Sequence, residues 1–232
     1  MPRPANDAKR LGAILVIGAV AGLGASYVAS RKRPEHWTDV GLIDWDAVQR
    51  TAVQVSQASE APVRNRSAAR EEYTSMVRRS EPLIADYLKV ELPEPIQRIT
   101  VMDRREWLQA NISSFTQLFG LIEEIYQRNA QQSTLGATVA AGLNRRVLSV
   151  QVGVLLGVLA RKVLGQYDLS LLAPEPSGGA LYFVEPNIAR VQQELGVDAH
   201  DFRLWIALHE TTHAYEFEAY PWVREHFNGL LR

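Results

Sequence analysis

Cysteine is absent from this chain of 232 residues, and that absence narrows the chemistry available to it. Without thiols, the chain forms no disulfide bond and offers no thiolate to a metal ion. Histidine and carboxylate side chains are therefore the strong zinc ligands that remain. The compartment stays open, because cysteine-free proteins occur on both sides of a membrane.

An excess of charge of either sign is also lacking. The chain carries 25 lysine and arginine residues against 26 aspartate and glutamate residues, and its formal charge is -1. Such a balance gives no strong field that would attract a polyanion. The sequence has no basic stripe, glycine-rich phosphate loop or RNA-binding signature either, so we expect no nucleic-acid partner.

Charge is missing entirely from the 20 residues Leu11 to Ser30. A helix needs about 20 apolar residues to cross the hydrocarbon layer, so this segment predicts a single N-terminal transmembrane helix with the lipid bilayer as its partner. Three basic residues stand on each side, so the positive-inside rule leaves the orientation undetermined. Two alternatives remain: a signal peptide cleaved near Ser30, and a soluble helix rich in glycine and alanine, which would make the protein cytoplasmic.

The remainder of the chain reads as mainly α. Apolar spacing predicts helices over residues 44–58, 66–90, 147–160 and 188–195, with further helices starting near 103 and 199, and alternation predicts short strands over 96–102 and 180–184. Pro82 is expected to interrupt the second helix, and residues 165–168 are expected to form a turn. We therefore predict an anchor with basic flanks over residues 1–35. A multi-helix domain with one or two short β-strands would follow over residues 36–232.

One helical segment, Val147 to Ala160, contains 14 residues without a charge. It is too short to cross a membrane, which favours a buried core helix. Gly153 and Gly157 are four residues apart and so share one side of the helix, where another backbone can approach closely. We expect this segment to pack against the helix that carries the histidines described next.

The stretch that carries chemistry is His209-Glu210-Thr211-Thr212-His213. Each helical residue advances by about 100°, so His209 and His213 lie about 40° apart on one face and one turn apart along the axis. Two imidazoles can then reach one metal ion, while Glu210 can reach a water on that metal without binding the metal itself. The H-E-x-x-H pattern of zinc hydrolases predicts His209 and His213 as zinc ligands and Glu210 as the catalytic base.

The surrounding residues predict a helix around this pattern. Asp198 can cap its N-terminus, Gly196 lies just before it, and Pro221 ends it. A buried side is expected along the line formed by Leu204, Leu208, Thr211 and Tyr215. The competing interpretation is a buried helix whose histidines only hydrogen-bond to neighbours. It is disfavoured because a glutamate beside two stacked histidines is costly to bury without a cation.

Residues 201–213, which read Asp-Phe-Arg-Leu-Trp-Ile-Ala-Leu-His-Glu-Thr-Thr-His, are followed by Phe217 and by Tyr-Pro-Trp-Val-Arg-Glu-His at 220–226. Together they resemble the signature of a bacterial family of zincin-like metallopeptidases, often labelled "coenzyme F-420 biosynthesis-associated". Three earlier stretches also match, at 43–46, 163–169 and 181–188. The resemblance therefore spans roughly residues 43–232.

The resemblance implies a mostly helical zinc-hydrolase fold in which His209 and His213 bind Zn²⁺, Glu210 is the general base, and the substrate is a peptide or protein. The family label carries no demonstrated reaction, so no deazaflavin chemistry is inferred.

The chain departs from the family pattern at its C-terminal end. Members of the family continue further and carry another acidic ligand on a later helix, in a Glu-Gly-His context that has no match here. A catalytic zinc needs three protein ligands and a water, and 19 residues follow His213. None of the nearby candidates stands at a spacing typical of a third ligand, namely Glu216, Glu218, Glu225 and His226. We therefore expect a C-terminally truncated member whose third ligand lies beyond Arg232.

The function predicted from these observations is zinc-dependent hydrolysis by a membrane-anchored metallopeptidase. The alternative is a non-catalytic zincin-like protein that serves as a binding module or scaffold at the membrane. A third interpretation, in which the histidine pair is accidental, leaves a membrane-associated structural protein. Metal binding separates the last interpretation from the first two.

Overall fold

The computed structural model describes residues 41–57, 63, 65–92, 94–130, 137–168 and 179–230. The segment predicted to cross a membrane, Leu11 to Ser30, lies outside these ranges. Within them, no helix combines the length and the apolar character that a bilayer crossing requires. The membrane anchor therefore stays a prediction.

The described residues form a mainly helical fold with a small sheet, as predicted. In chain order the elements are α1 Trp45–Ser56, α2 Arg66–Leu88, β1 Arg98–Met102, α3 Arg104–Ala130, α4 Ala137–Ala160, β2 Gly165–Asp168, β3 Ala180–Val184, α5 Glu185–Leu195, α6 Ala199–Glu218 and α7 Pro221–Leu230. The expected number of strands, one or two, is wrong. Residues 165–168 form a third strand rather than a turn, because β3 supplies a hydrogen-bonding partner that a local pattern does not reveal.

The chain divides into two compact units. The first contains the described residues up to Val55 together with residues 115–158, and the second contains residues 56–114 and 159–232. In the first unit, α4 lies against α1 at its two glycines. A β-carbon at Gly153 would come 2.8 Å from the carbonyl oxygen of Val48, and one at Gly157 would come 2.8 Å from that of Ala52.

The close approach at these glycines confirms the smooth side that was predicted for α4, but its partner there is α1 instead of the histidine helix. The opposite side of α4 is not fully buried, since Leu155 is 53% exposed and Leu159 is 36% exposed. An uncharged run shows that a helix has apolar sides, but it does not show which neighbour covers them.

The second unit is built on the three-stranded sheet, in the order β1-β3-β2. The central strand β3 pairs in parallel with β1, with Ile99 opposite Leu181, and antiparallel with β2, with Gly165 opposite Phe183. Its burial on both faces explains its continuous apolar sequence. The core joins the strands β1 and β3 to the helices α2, α5 and α6. It consists mainly of Tyr73, Met76, Val77, Ile99, Val101, Leu181, Phe183, Ile188, Phe202, Ile206, Ala207 and Ala214.

Helix α2 continues through Pro82 to Leu88, so the predicted interruption is wrong. Proline removes one backbone donor and costs stability in an isolated helix. In this fold α2 packs along α6, and the Tyr215 hydroxyl donates to the carbonyl oxygen of Glu81 at 2.9 Å. Tertiary packing thus outweighs the local penalty.

A buried asparagine, Asn187 at the start of α5, fixes the path of the chain into β2. Its Nδ2 donates to the carbonyl oxygens of Ala160 at 2.8 Å and Val163 at 2.7 Å, and its Oδ1 accepts from Arg104 Nε at 2.7 Å. Its side chain is fully buried. Because Ala160 ends α4 and Val163 lies two residues before β2, this amide sets where β2 begins.

We expect Asn187→Ala to lower the free energy of unfolding by about 2 kcal/mol, because buried carbonyl groups lose their donor. Chemical denaturation monitored by circular dichroism measures the change. Gln193→Ala, at an exposed position on the same helix, is the matched control and should have little effect. Equal stabilities of the two variants would contradict the role assigned to Asn187.

Candidate metal centre

Helix α6 begins and ends as its sequence predicts. The Asp198 carboxylate accepts from the backbone N–H groups of His200 at 2.8 Å and Asp201 at 3.0 Å, which is an N-cap. These hydrogen bonds hold the pKa of Asp198 below its usual value. Gly196, at a φ of 66°, ends α5 in the left-handed conformation that glycine tolerates. At its other end the histidine helix stops at Glu218, before Pro221.

The buried side of α6 differs in part from the predicted line. Thr211 and Tyr215 are buried as expected, whereas Leu204 and Leu208 are only half-buried. The buried residues are Phe202, Ile206, Ala207, Glu210, Thr211, Ala214 and Tyr215. As a consequence Glu210 faces the interior, and the histidine rings lie at the boundary with solvent.

The two imidazoles face each other through corresponding nitrogens. The Nε2 atoms of His209 and His213 are 3.3 Å apart, and the ring centroids are 4.7 Å apart at an interplanar angle of 84°. Two neutral rings cannot both present a lone pair at this distance without repulsion unless a proton or a cation lies between them. The helix thus brings together the two nitrogen donors that the sequence predicted as metal ligands.

This distance fits zinc. A zinc–nitrogen bond is about 2.0–2.1 Å long and ligands around zinc are arranged tetrahedrally, so two nitrogens on one zinc ion lie about 3.3–3.4 Å apart. The observed 3.3 Å between the Nε2 atoms agrees with that value. Among the described residues, however, no group of three or more histidine, aspartate and glutamate side chains could hold a metal ion.

Glu216 and Glu218, two candidates for a third ligand, make other contacts. A Glu216 carboxylate oxygen lies 2.8 Å from Nδ1 of His213, the ring nitrogen that does not face His209. Glu218 accepts from the Tyr167 hydroxyl and from the backbone N–H of Gly179. The other two candidates, Glu225 and His226, lie on α7 at exposed positions.

Glu210 is 6% exposed and lies against the backbone of β2. A β-carbon at Gly165 would come 2.5 Å from Glu210 Cγ, so the glycine gives the carboxylate its space. Burial raises the pKa of Glu210 to about 7, while the nearby His213 acts in the opposite direction. A carboxylate with such a pKa can accept and release a proton near neutral pH.

Tyr167, two residues after Gly165, ties β2 to the end of α6. Besides its hydrogen bond to Glu218, its ring is stacked on Phe217 with centroids 6.0 Å apart. Its contacts in the described residues favour a structural role, on a strand instead of a turn.

Sequence reasoning missed two neighbours of the H-E-x-x-H residues, one beside His209 and one beside Glu210. Trp205, one turn before His209, is 57% exposed and stacks on the His209 ring with centroids 5.9 Å apart. Gly165 gave no local signal, since its partner Glu210 is 45 residues away in sequence. The contact between Trp205 and His209 could have been predicted, because residues four apart in a helix are neighbours on its surface.

The chain belongs to the family of zincin-like metallopeptidases, whose family model matches residues 43–232. A crystal structure from Chloroflexus aurantiacus, described as a "putative hydrolase with a novel fold", is similar to it at 59% sequence identity and a TM-score of 0.65. The match covers 82% of this chain and 57% of that chain, so this chain spans somewhat more than half of its length. No curated protein matches the chain. Together these similarities support a hydrolase at the level of the family.

The raised pKa of Glu210 predicts a pH-dependent cost to stability in the metal-free protein. The unfolded chain ionises this carboxyl near its model value of 4.5, whereas the folded chain does so near 7, so stability falls as pH rises between these values. Glu210→Gln removes the cost. We expect it to have little effect at pH 4.5 and to raise the free energy of unfolding by about 3 kcal/mol at pH 8.

Urea denaturation of the chelator-treated protein at both pH values measures this difference. Glu71→Gln, at an exposed position of α2, should show no comparable gain. A gain for Glu210→Gln that is the same at both pH values would show that burial does not raise the pKa of this carboxyl.

Proposed function

We propose that this protein is a zinc-dependent hydrolase that acts on peptide bonds. The observation that carries the proposal is the facing pair of Nε2 atoms, 3.3 Å apart, with the buried Glu210 carboxylate on the same stretch of α6. Membership of the zincin-like metallopeptidase family supports it. His209 and His213 would hold the zinc ion.

Zinc supplies a Lewis acid that makes a bound water more acidic and polarises a substrate carbonyl. The remaining work falls to this chain's own residues. Glu210 accepts a proton from the attacking water and returns it to the leaving amine. The wall formed by Gly165 holds the carboxylate in place for both transfers.

The position of β2 supports a peptide as the substrate. β2 is one of the two outer strands in the order β1-β3-β2, and it passes Glu210 at Gly165. Extended peptides bind by adding a strand to the edge of a sheet. A peptide aligned along β2 would therefore run beside the proposed base.

A second candidate function, a non-catalytic binding or scaffold protein, is favoured by one observation. The described residues contain no third side chain that completes a metal site with the two histidines. Zinc content and hydrolysis of an unselective peptide library separate the candidates. Stoichiometric zinc without turnover supports the scaffold, and turnover that a chelator abolishes supports the hydrolase.

The assigned roles predict different losses for two substitutions. Glu210→Ala should retain zinc and lose turnover, by about 100-fold or more, because the base is removed while both nitrogen donors remain. His209→Ala should lose zinc and turnover together. Metal analysis after gel filtration and peptide hydrolysis assays measure both properties.

Trp222→Ala, at an exposed position on α7, is the control for losses caused by purification. It should keep both its zinc and its turnover. Full activity in Glu210→Ala would refute its role as the base, and stoichiometric zinc in His209→Ala would refute its role as a ligand.

We further propose that Leu11 to Ser30 anchors the protein to a membrane as a single span of undetermined orientation. Two arginines near the middle of the span, in the double variant Val16→Arg with Val20→Arg, should move the protein from the carbonate-resistant membrane fraction to the soluble fraction. Each such charge costs about 2.5–3.5 kcal/mol on insertion. The same charges in the polar flank, Ala5→Arg with Asn6→Arg, should leave it in the membrane.

Recovery of the unaltered protein in the soluble fraction with its N-terminus intact would contradict the anchor. A soluble product that begins near Arg31 would indicate a cleaved signal peptide.

A further inference from the structure

Each ring nitrogen of His213 has its own neighbour in the structure. Nε2 faces His209 Nε2 at 3.3 Å, and Nδ1 lies 2.8 Å from a carboxylate oxygen of Glu216. Glu216 follows His213 by three residues, so the two side chains are neighbours on the surface of α6. The Glu216 side chain is 55% exposed.

The chemistry of the two groups fixes the position of the proton. An ionised carboxylate only accepts hydrogen bonds, so the nitrogen that contacts it must carry the hydrogen. In a neutral imidazole the other nitrogen then has the lone pair. For His213 that nitrogen is Nε2, the atom that faces His209 and that a metal ion would need.

We propose that Glu216 is a positioning residue for the metal centre: it holds His213 in the Nδ1–H tautomer and orients its Nε2 lone pair toward the metal shared with His209. The inference rests on the proposed function and gives Glu216 a role other than that of a third ligand, for which the sequence offered it as one nearby candidate without a typical spacing. The carboxylate is on the side of the ring that Nδ1 faces, while the pair of donor nitrogens is on the other.

A simpler interpretation is a surface ion pair one turn along a helix. Such pairs add only about 0.3–0.5 kcal/mol to stability and require a charged histidine. A hydrogen bond that selects a tautomer acts on neutral His213 instead, and its loss typically lowers metal affinity by about 10-fold to 100-fold. The two interpretations therefore predict different results for a substitution that removes the charge of Glu216 but keeps an acceptor oxygen.

The test compares Glu216→Ala, Glu216→Gln and the unaltered protein in two measurements. The first is the tautomer of His213 in the metal-free protein at pH 8, from long-range ¹H–¹⁵N correlation spectra. The chain has five histidines, so single substitutions are enough to assign the signals. The second is zinc affinity, from competition with a chromophoric chelator.

We expect the Nδ1–H tautomer in the unaltered protein and in Glu216→Gln, because the glutamine Oε1 can accept the same hydrogen. Glu216→Ala should release His213 toward the Nε2–H tautomer and weaken zinc binding by about 10-fold to 100-fold. Glu216→Gln should stay within about 10-fold of the unaltered protein. Glu71→Ala removes the same charge from an exposed position of α2 and should change neither measurement.

An unchanged tautomer and an unchanged zinc affinity in Glu216→Ala overturn the inference. The inference is also overturned if Glu216→Gln weakens zinc binding as much as Glu216→Ala does and X-ray absorption spectra show one oxygen fewer around zinc. In that case Glu216 is a zinc ligand. If the unaltered protein binds no zinc while Glu216→Ala still shifts the tautomer, the proposed function fails and the coupling of Glu216 to His213 stands.

Discussion

The constraint on which the site depends is the burial of a carboxylate between a helix and a strand. Glu210 lies on the buried side of α6, and the backbone of β2 at Gly165 forms the wall against it. An ionised carboxylate is costly to place in such surroundings, which is why its pKa rises to about 7. The fold therefore maintains a group that is not optimal for stability but is suited to proton transfer.

The rest of the second unit serves to keep this arrangement rigid. The sheet fixes β2 through its antiparallel register with β3, and α2 packs along α6. At the start of α6, Arg203 donates to the half-buried Glu185, which also accepts from the Tyr73 hydroxyl. His209 and His213 are not buried as Glu210 is, and their rings are accessible to solvent on the same helix. One helix thus presents a buried carboxylate and two solvent-accessible imidazoles within five consecutive residues.

Much of this site was readable from the sequence because its parts are local. Asp198, Gly196 and the H-E-x-x-H spacing each act over a few residues, and helical geometry converts them directly into a capped helix with two imidazoles on one face. The contact between Glu210 and Gly165 was not readable, since it joins segments that only the sheet brings together. The same reason explains why β2 was predicted as a turn. Its four residues form a strand because they pair with β3, and this pairing cannot be inferred from the local sequence.

The buried amide of Asn187 has a mechanical consequence for Glu210. It ties the beginning of α5 to the carbonyl groups on either side of the turn that leads into β2, and β2 in turn bounds Glu210. A displacement of α5 would therefore move β2 through the hydrogen bonds of the Asn187 amide, and the movement of β2 would shift the Glu210 carboxylate. The position of the Glu210 carboxylate thus depends partly on the buried Asn187 amide, which holds the strand beside it.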